Sequence, residues 1–272
     1  MPHKGADPGD RAVAGLLSPR ILAEMKAFTG FPAVPSGYDV AGDWSQTYRV
    51  WGNSGRFRFQ NKDMGYLKIA RTSNGERVEF LVDHVLVNAD GIENIMKASI
   101  VCRNDELASP VRWRLETHFT DASRCLRPEL SMTLEGAVED GQAFETCQGK
   151  KRRLDLASPF TADWCLIDVV QRCQGRRLEF TLLEGLTKVK KGHWINRMET
   201  ELAEKLAAEG MRPFCVYQIG HGILPRQYWL DDADRVVLIL SNAVMYVLDD
   251  DAQQKKEDLV VELIKGGVHY EY

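Results

Sequence analysis

One short stretch near the C-terminal end contains side chains that could do chemistry. His221 lies between two glycines, which let other backbone approach closely, so its imidazole could face a cavity. In the strand that follows, Tyr228 and Trp229 point to opposite sides, and Asp231 and Asp232 begin the next turn. One interpretation is a ligand site with an aromatic ring against the ligand and a carboxylate at its rim. The favoured one is a hairpin whose aromatic rings pack on both sides and whose aspartates cap the turn.

The sequence contains none of the common short catalytic or cofactor motifs. It has no Gly-x-Gly-x-x-Gly, no phosphate loop, no His-Glu-x-x-His and no Gly-x-Ser-x-Gly. No cysteine or histidine spacing is typical of a metal site. We therefore expect no cofactor and no metal, and the balance is against an enzyme. A hydrolase that uses His221 with Asp231 or Asp232 in a cleft remains the alternative.

The tryptophans extend the candidate site into the interior. Trp113 lies in the most regular alternation of the chain, Val111 to Phe119, and should point inward. Core filling is the default role for such side chains, but a sheet that does not close tightly would use them to line an apolar pocket. The candidate ligand-binding residues are Trp113, Trp164, His221, Tyr228, Trp229 and Asp231.

Charge and composition argue against a nucleic-acid partner. The chain has 272 residues, is 44% hydrophobic and carries a net charge of −4, so it can bury a sizeable core but offers no overall positive field. The basic runs Lys150–Arg153 and Lys188–Lys191 have no stacking aromatics between them. We expect both runs to be solvated loops.

Location is expected to be cytoplasmic. No run of about 18 apolar residues exists, so no transmembrane segment is predicted. The first residues, Met1 to Asp10, have no apolar leader region. A periplasmic or secreted protein whose leader has been removed is the alternative. The six cysteines are expected to be buried free thiols, or to form a disulfide or two if the protein is exported.

Strand signals dominate from Thr47 onward. Alternating segments are joined by Asn74-Gly75 and by Asp140-Gly141, which are strong hairpin signals. Roughly a dozen strands follow one another instead of alternating with helices, which favours an antiparallel meander over a parallel sheet. A sheet of this size should curl into a barrel or half-barrel.

Four helices are predicted, and one of them should pack against the sheet. Phe160–Cys173 is rich in large apolar residues at helical spacing, so we expect it to plug the curled sheet. The division expected is an N-terminal arm and helix over residues 1–42 and a single antiparallel β domain with inserted helices over residues 43–272. The other helices are predicted at Ser18–Phe28, Arg197–Glu209 and Asp249–Ile264.

The tail resembles a known group. Ile223–Asp232, a short turn and a strand ending in Tyr246–Asp249 are similar to the C-terminal part of uncharacterised bacterial domain families. Their pattern is leucine-proline, then tyrosine-tryptophan-leucine-aspartate, then a closing strand, and the resemblance covers about the last third of this chain. The resemblance implies a half-barrel and supplies no catalytic residues. These domains are often found in exported proteins. The chain differs from such members by lacking a leader and by having more cysteines.

These observations favour one function and leave two others open. The favoured hypothesis is a non-catalytic half-barrel that binds an apolar or amphipathic small molecule or serves as an accessory protein. The alternatives are the hydrolase with a His/Asp site and a protein-interaction module with an exposed apolar edge. The oligomeric state is not readable from the sequence.

Overall fold

The computed structural model describes residues 30–52, 62–88, 90–197, 212–217, 226–241 and 244–266. These residues form fifteen strands, two α-helices and one 3₁₀ turn, Pro128–Leu130. The helices are α1 (Leu166–Arg172) and α2 (Ala252–Gly266). The strands are β1 (Trp44–Gly52), β2 (Lys62–Ser73), β3 (Arg77–Val87), β4 (Glu93–Arg103), β5 (Pro110–Thr120), β6 (Met132–Glu139), β7 (Gln142–Cys147), β8 (Lys150–Leu154), β9 (Phe160–Ala162), β10 (Leu178–Glu184), β11 (Lys188–Arg197), β12 (Arg212–Tyr217), β13 (Arg226–Leu230), β14 (Val236–Leu240) and β15 (Val244–Leu248).

All fifteen strands belong to one sheet. Its order is β8 through β1, then β15 down to β9, so β1 pairs with β15 in the middle and β8 and β9 are the two edges. Every pairing is antiparallel except that of β9 with β10. The edge strand β9 also approaches β5, which shows that the sheet curls over itself without closing. The predicted antiparallel meander and half-barrel are confirmed.

The predicted turns explain why neighbouring strands pair. Asn74-Gly75 joins β2 to β3, with Gly75 at a positive φ of 89°. Asp140 and Gly141 both have positive φ, 49° and 76°, which is the geometry of the tight hairpin turn that matches strand twist. These local preferences fix the register of the strands on either side.

Cross-strand rows of large side chains build the inner face. In one row, Arg71 of β2 is followed by Phe80, Ile100 and Trp113 on the next three strands and by Gly136 on β6. A Cβ at Gly136 would overlap the Trp113 indole. The missing side chain therefore makes room for the tryptophan, which is 1% exposed.

The plug helix is shorter than predicted. Phe160–Ala162 forms the edge strand β9, not the first turn of a helix, because its backbone pairs with Thr181–Leu183 of β10. This tertiary pairing overrides the helical spacing of the apolar residues. The helix proper, α1, is buried from Leu166 to Gln171 and contacts β13 and β14. A helix does pack on the sheet, as expected, but it begins six residues later.

The two basic runs are strands, and their prediction as loops was wrong. Lys150–Arg153 lies in β8, whose four basic residues are exposed, and Lys188–Lys191 begins β11. Gln148 and Gly149 both have positive φ and make the tight turn that leads into β8. Charged side chains on an edge strand hinder pairing with other chains.

Of the three other predicted helices, one is confirmed and two fall outside the described residues. The C-terminal helix is confirmed as α2, which packs against β1 and β2. The helix predicted at Ser18–Phe28 lies outside the described residues. So does the one predicted at Arg197–Glu209, apart from Arg197, which ends β11. No helix within the described ranges is both long and apolar enough to cross a bilayer.

Five of the six cysteines are free thiols. Three of them are buried and Cys125 is exposed. The sulfurs of Cys102, on β4, and Cys165, just before α1, are 3.8 Å apart. The cysteines concerned are Cys102, Cys125, Cys147, Cys165 and Cys173.

Candidate functional site

A cavity of about 170 Å³ lies between the inner face of the sheet and α1. One part of its wall is apolar and the rest carries polar groups and aromatic rings. The apolar residues are Leu67, Met96, Ile167 and Ile239. The others are His84, Asp163, Trp164, Glu184, Gly185, Arg226, Tyr228 and Tyr246.

Two cross-strand rows contribute to the wall of this cavity. In the first, His84 of β3 is flanked by Leu67 on β2 and Met96 on β4. In the second, Tyr228 of β13 is followed by Ile239 on β14 and Tyr246 on β15. The rows come from strands far apart in sequence, and the pairing of β1 with β15 joins the two halves of the sheet to which they belong.

Arg226 supplies the positive charge of the cavity. It is two residues before Tyr228 on β13, so both side chains point to the same face. Burial alone would lower the pKa of the Arg226 guanidinium, but Tyr228, Asp163 and Tyr246 together raise it, so it stays charged. Its side chain hydrogen-bonds to Tyr228. No carboxylate within the described ranges forms an ion pair with it at 4.0 Å or less.

His84 is a buried imidazole that has no hydrogen-bond partner among the described residues. It is 6% exposed, and neither ring nitrogen is hydrogen-bonded. Its ring centroid lies 5.8 Å from that of Tyr246 and 6.5 Å from that of Trp164. Burial, and then the charge of Arg226, lower the pKa of His84 from 6.5 to about 4. The ring is therefore neutral at pH 7, with one nitrogen able to donate and the other able to accept a hydrogen bond.

An unpaired polar group of this kind costs roughly 1–3 kcal/mol when buried. His193 and Gln227 are also buried with unbonded side-chain atoms, but neither is among the residues that line the cavity. His84 differs from them because its ring borders an empty space large enough to hold a partner.

Asp163 and the two tyrosines complete the polar wall. Burial raises the pKa of the Asp163 carboxyl, while Arg226 and the Gly185 amide oppose the rise. The Trp164 amide donates to Oδ1 of Asp163 at 3.1 Å, so the carboxyl is held by local backbone. Burial raises the pKa of Tyr246 to about 12 and also raises that of Tyr228. Both phenols are therefore un-ionised at pH 7.

The structure brings two of the six predicted site residues to this cavity, Trp164 and Tyr228. Trp113 lies in the row that ends at Gly136. Trp229 is buried on the side of β13 opposite Tyr228. His221 lies outside the described residues.

Asp231 caps the turn that leads into β14. Its Oδ1 accepts from the amides of Ala233, at 3.0 Å, and Arg235, at 2.9 Å. Its Oδ2 is 2.7 Å from Nε of Arg235. Arg235 also donates to the carbonyl oxygen of Pro32 at 2.7 Å, which ties the segment before β1 to this turn. These contacts are those of the predicted hairpin cap.

Sequence reasoning missed His84, Arg226, Asp163 and Tyr246. For two of them a signal existed. His84 continues the inward alternation of Val78, Phe80 and Val82, and a histidine on an apolar face is unusual enough to notice. Arg226 lies on the Tyr228 face of one strand.

Two larger depressions lie on the outer face of the sheet, with volumes of about 540 and 500 Å³. Both are open to solvent and include Arg114. The Arg114 guanidinium forms ion pairs with Glu116, at 2.8 Å, and with Glu135. Among the side chains that the structure describes, no group of three His, Cys, Asp or Glu could hold a metal ion. The interior cavity is therefore the better candidate site.

Comparison with known proteins gives little further help. No protein-family model and no curated protein matches the chain. A solved structure, a β-barrel-like protein of domain of unknown function DUF1849 from Brucella abortus, is similar with a TM-score of 0.45 and 8% sequence identity. The match covers 75% of this chain and 95% of that one. The fold described above therefore rests on the strand pairing of this chain itself.

Proposed function

We propose that this protein is a non-catalytic half-barrel that binds a small amphipathic molecule in its interior cavity. The observation that carries the proposal is the composition of the cavity wall. Leu67, Ile167 and Ile239 offer apolar contact, His84 has two ring nitrogens without a hydrogen-bond partner among the described residues, and Arg226 supplies a positive charge. Ligand sites combine apolar walls with a few polar groups in this way.

The volume limits the size of the ligand. A cavity of ~150 Å³ in another protein accepts benzene. At about 170 Å³, this cavity would admit one ring with a small substituent, or a short aliphatic chain. A long-chain lipid would exceed it, so the ligand class is narrower than the apolar or amphipathic molecules that the sequence suggested.

The residues of the wall support binding more than catalysis. The described lining contains no serine, threonine, cysteine or lysine that could act as a nucleophile. Among the described residues no carboxylate is hydrogen-bonded to His84, so the orienting group of a Ser-His-Asp triad is missing. Both tyrosines are un-ionised at pH 7 because burial raises their pKa.

The test uses three single-ring probes of different charge: benzyl alcohol, benzoate and benzylamine. A probe at a hundred times its dissociation constant adds ~2.7 kcal/mol to the free energy of unfolding. This raises Tm by roughly 5–10 °C. We expect at least one probe to produce such a shift in the wild-type protein and calorimetry to give a matching dissociation constant.

Ile239→Trp fills the cavity and should abolish the shift, because Ile239 lies between Tyr228 and Tyr246 on the wall. Leu81→Trp is the matched control, since it adds the same indole at a position that is 54% exposed. Should Ile239→Trp fail to fold, the His84 ring signals of the wild-type protein in NMR serve instead. The proposal is wrong if no probe shifts Tm and none moves the His84 signals.

A further inference from the structure

We infer that the ligand is a small organic carboxylate, bound through the Arg226 guanidinium with its apolar part against Ile167 and Ile239. This inference rests on the proposed function and adds the charge and chemical class of the ligand. It is carried by the geometry of one cation and one imidazole on the cavity wall.

Arg226 is a partly buried cation on the cavity wall, and no ion pair with it is present among the described residues. A guanidinium has five N–H donors in a rigid fork, and its hydrogen-bonding partner among the described side chains is Tyr228. A buried cation normally has a counter-ion, because removing a charge from water is costly. A planar carboxylate matches the fork with two parallel hydrogen bonds, which an alcohol or an amine cannot do.

The two acidic side chains that border the cavity, Glu184 and Asp163, do not act as close counter-ions of Arg226. Glu184 is paired with Lys190 at 2.7 Å. Asp163 accepts from the Trp164 amide and interacts with Arg226 through its charge, but the two form no ion pair within 4.0 Å among the described residues. A ligand carboxylate would supply a close anionic partner for Arg226.

His84 adds a second, independent observation. It is 6% exposed, borders the same cavity, and neither ring nitrogen is hydrogen-bonded within the part of the chain that the structure describes. A neutral imidazole can donate one hydrogen bond to a carboxylate oxygen. A guanidinium and an imidazole donor on one small wall suit an anionic oxygen ligand better than a cation.

The first arm of the experiment compares benzoate with benzyl alcohol on the wild-type protein by calorimetry. We expect benzoate to bind ~10–100-fold more tightly, which is the factor given by a charge-assisted hydrogen bond. If benzyl alcohol or benzylamine binds as tightly as benzoate, the carboxylate inference is wrong while the proposed function stands. If no probe binds, both fall.

The second arm uses Arg226 variants. Arg226→Met should remove the preference for benzoate over benzyl alcohol, and Arg226→Lys should keep part of it, because lysine retains the charge but loses the fork. Arg114→Met is the control, since Arg114 is an exposed arginine on the outer face and its loss should leave both affinities unchanged. A benzoate preference that survives in Arg226→Met would overturn the inference.

The third arm needs no variant and follows the His84 ring by NMR as the pH is changed. The groups that face His84 are Arg226 and Tyr228 on β13, Tyr246 on β15, Asp163 before α1 and Glu184 on β10. A carboxylate beside Arg226 cancels part of its charge, so benzoate should raise the His84 pKa, whereas benzyl alcohol should not. An unchanged or lowered His84 pKa on benzoate binding would place the carboxylate elsewhere and sink the inference.

Discussion

Asp168 lies at the centre of a buried ion cluster that holds α1 against the sheet. Its Oδ1 is 2.7 Å from Nε of Arg71 on β2, and its Oδ2 is 2.6 Å from Nη2 of Arg172 in α1. The Arg71 and Asp168 side chains are both 0% exposed. The substitution Asp168→Asn keeps the shape of this side chain and removes its charge, so it tests the cluster with little change in packing.

The expected loss is large because two guanidinium groups would remain with no counter-charge between them. Removing one partner of a buried pair costs ~3–5 kcal/mol, mostly as the penalty of an uncompensated buried charge. Arg71 would keep only neutral acceptors, such as the carbonyl oxygen of Ala41 at 2.7 Å. For a chain of this size the change in Tm is roughly 6–20 °C.

Guanidinium chloride denaturation followed by tryptophan fluorescence gives the free energy of unfolding directly. The matched control is Glu106→Gln, because Glu106 pairs with Arg176 on the surface, where both side chains are more than half exposed. That pair should contribute no more than ~1 kcal/mol. If Asp168→Asn loses no more stability than Glu106→Gln, the assignment of the cluster as the anchor of α1 is wrong.

Two further predictions concern the inner face. Burial lowers the pKa of folded His84 to about 4. Between pH 6.5 and pH 4 the unfolded imidazole therefore takes up a proton that the folded one does not, and the free energy of unfolding should fall by ~3 kcal/mol. Denaturation at several pH values should show this loss in the wild-type protein but not in His84→Leu; equal pH dependence in both would contradict it. Gly136→Ala should cost ~1–3 kcal/mol, because the new Cβ overlaps the Trp113 indole. In the background of Trp113→Phe the same change should cost less, and identical costs in a double-mutant cycle would remove Trp113 as the cause.

Much of the fold could be predicted because its signals are local. Asn74-Gly75 and Asp140-Gly141 each specify a turn, and alternation specifies which face of a strand is inward. The failures have two causes, one local and one not. Gln148-Gly149 makes the same kind of turn, but glutamine rarely adopts a positive φ, so β8 was missed. The strand β9 depends on a partner, β10, that follows only after α1.

The candidate site could be predicted only in part because its walls come from distant segments. Trp164 and Tyr228 were found as large aromatic residues in distinctive settings. Their convergence with His84 requires the pairing of β1 with β15, which no local pattern encodes. The free volume beside them is a property of packing across the curled sheet, and side-chain alternation along single strands does not determine it.

Two arginines on the inner face, Arg71 and Arg226, differ in how their charge is compensated. Arg71 is fully buried and paired with Asp168, and it also bonds to backbone oxygens, so its charge is compensated within the fold. Arg226 borders a cavity and forms no ion pair among the described residues, and the His84 imidazole on the same wall has no hydrogen-bond partner there. A buried polar group without a partner is costly, and the Arg71 cluster shows that this fold can surround a buried polar group with partners. The unbonded His84 ring beside an empty volume is therefore the observation on which the proposed ligand rests.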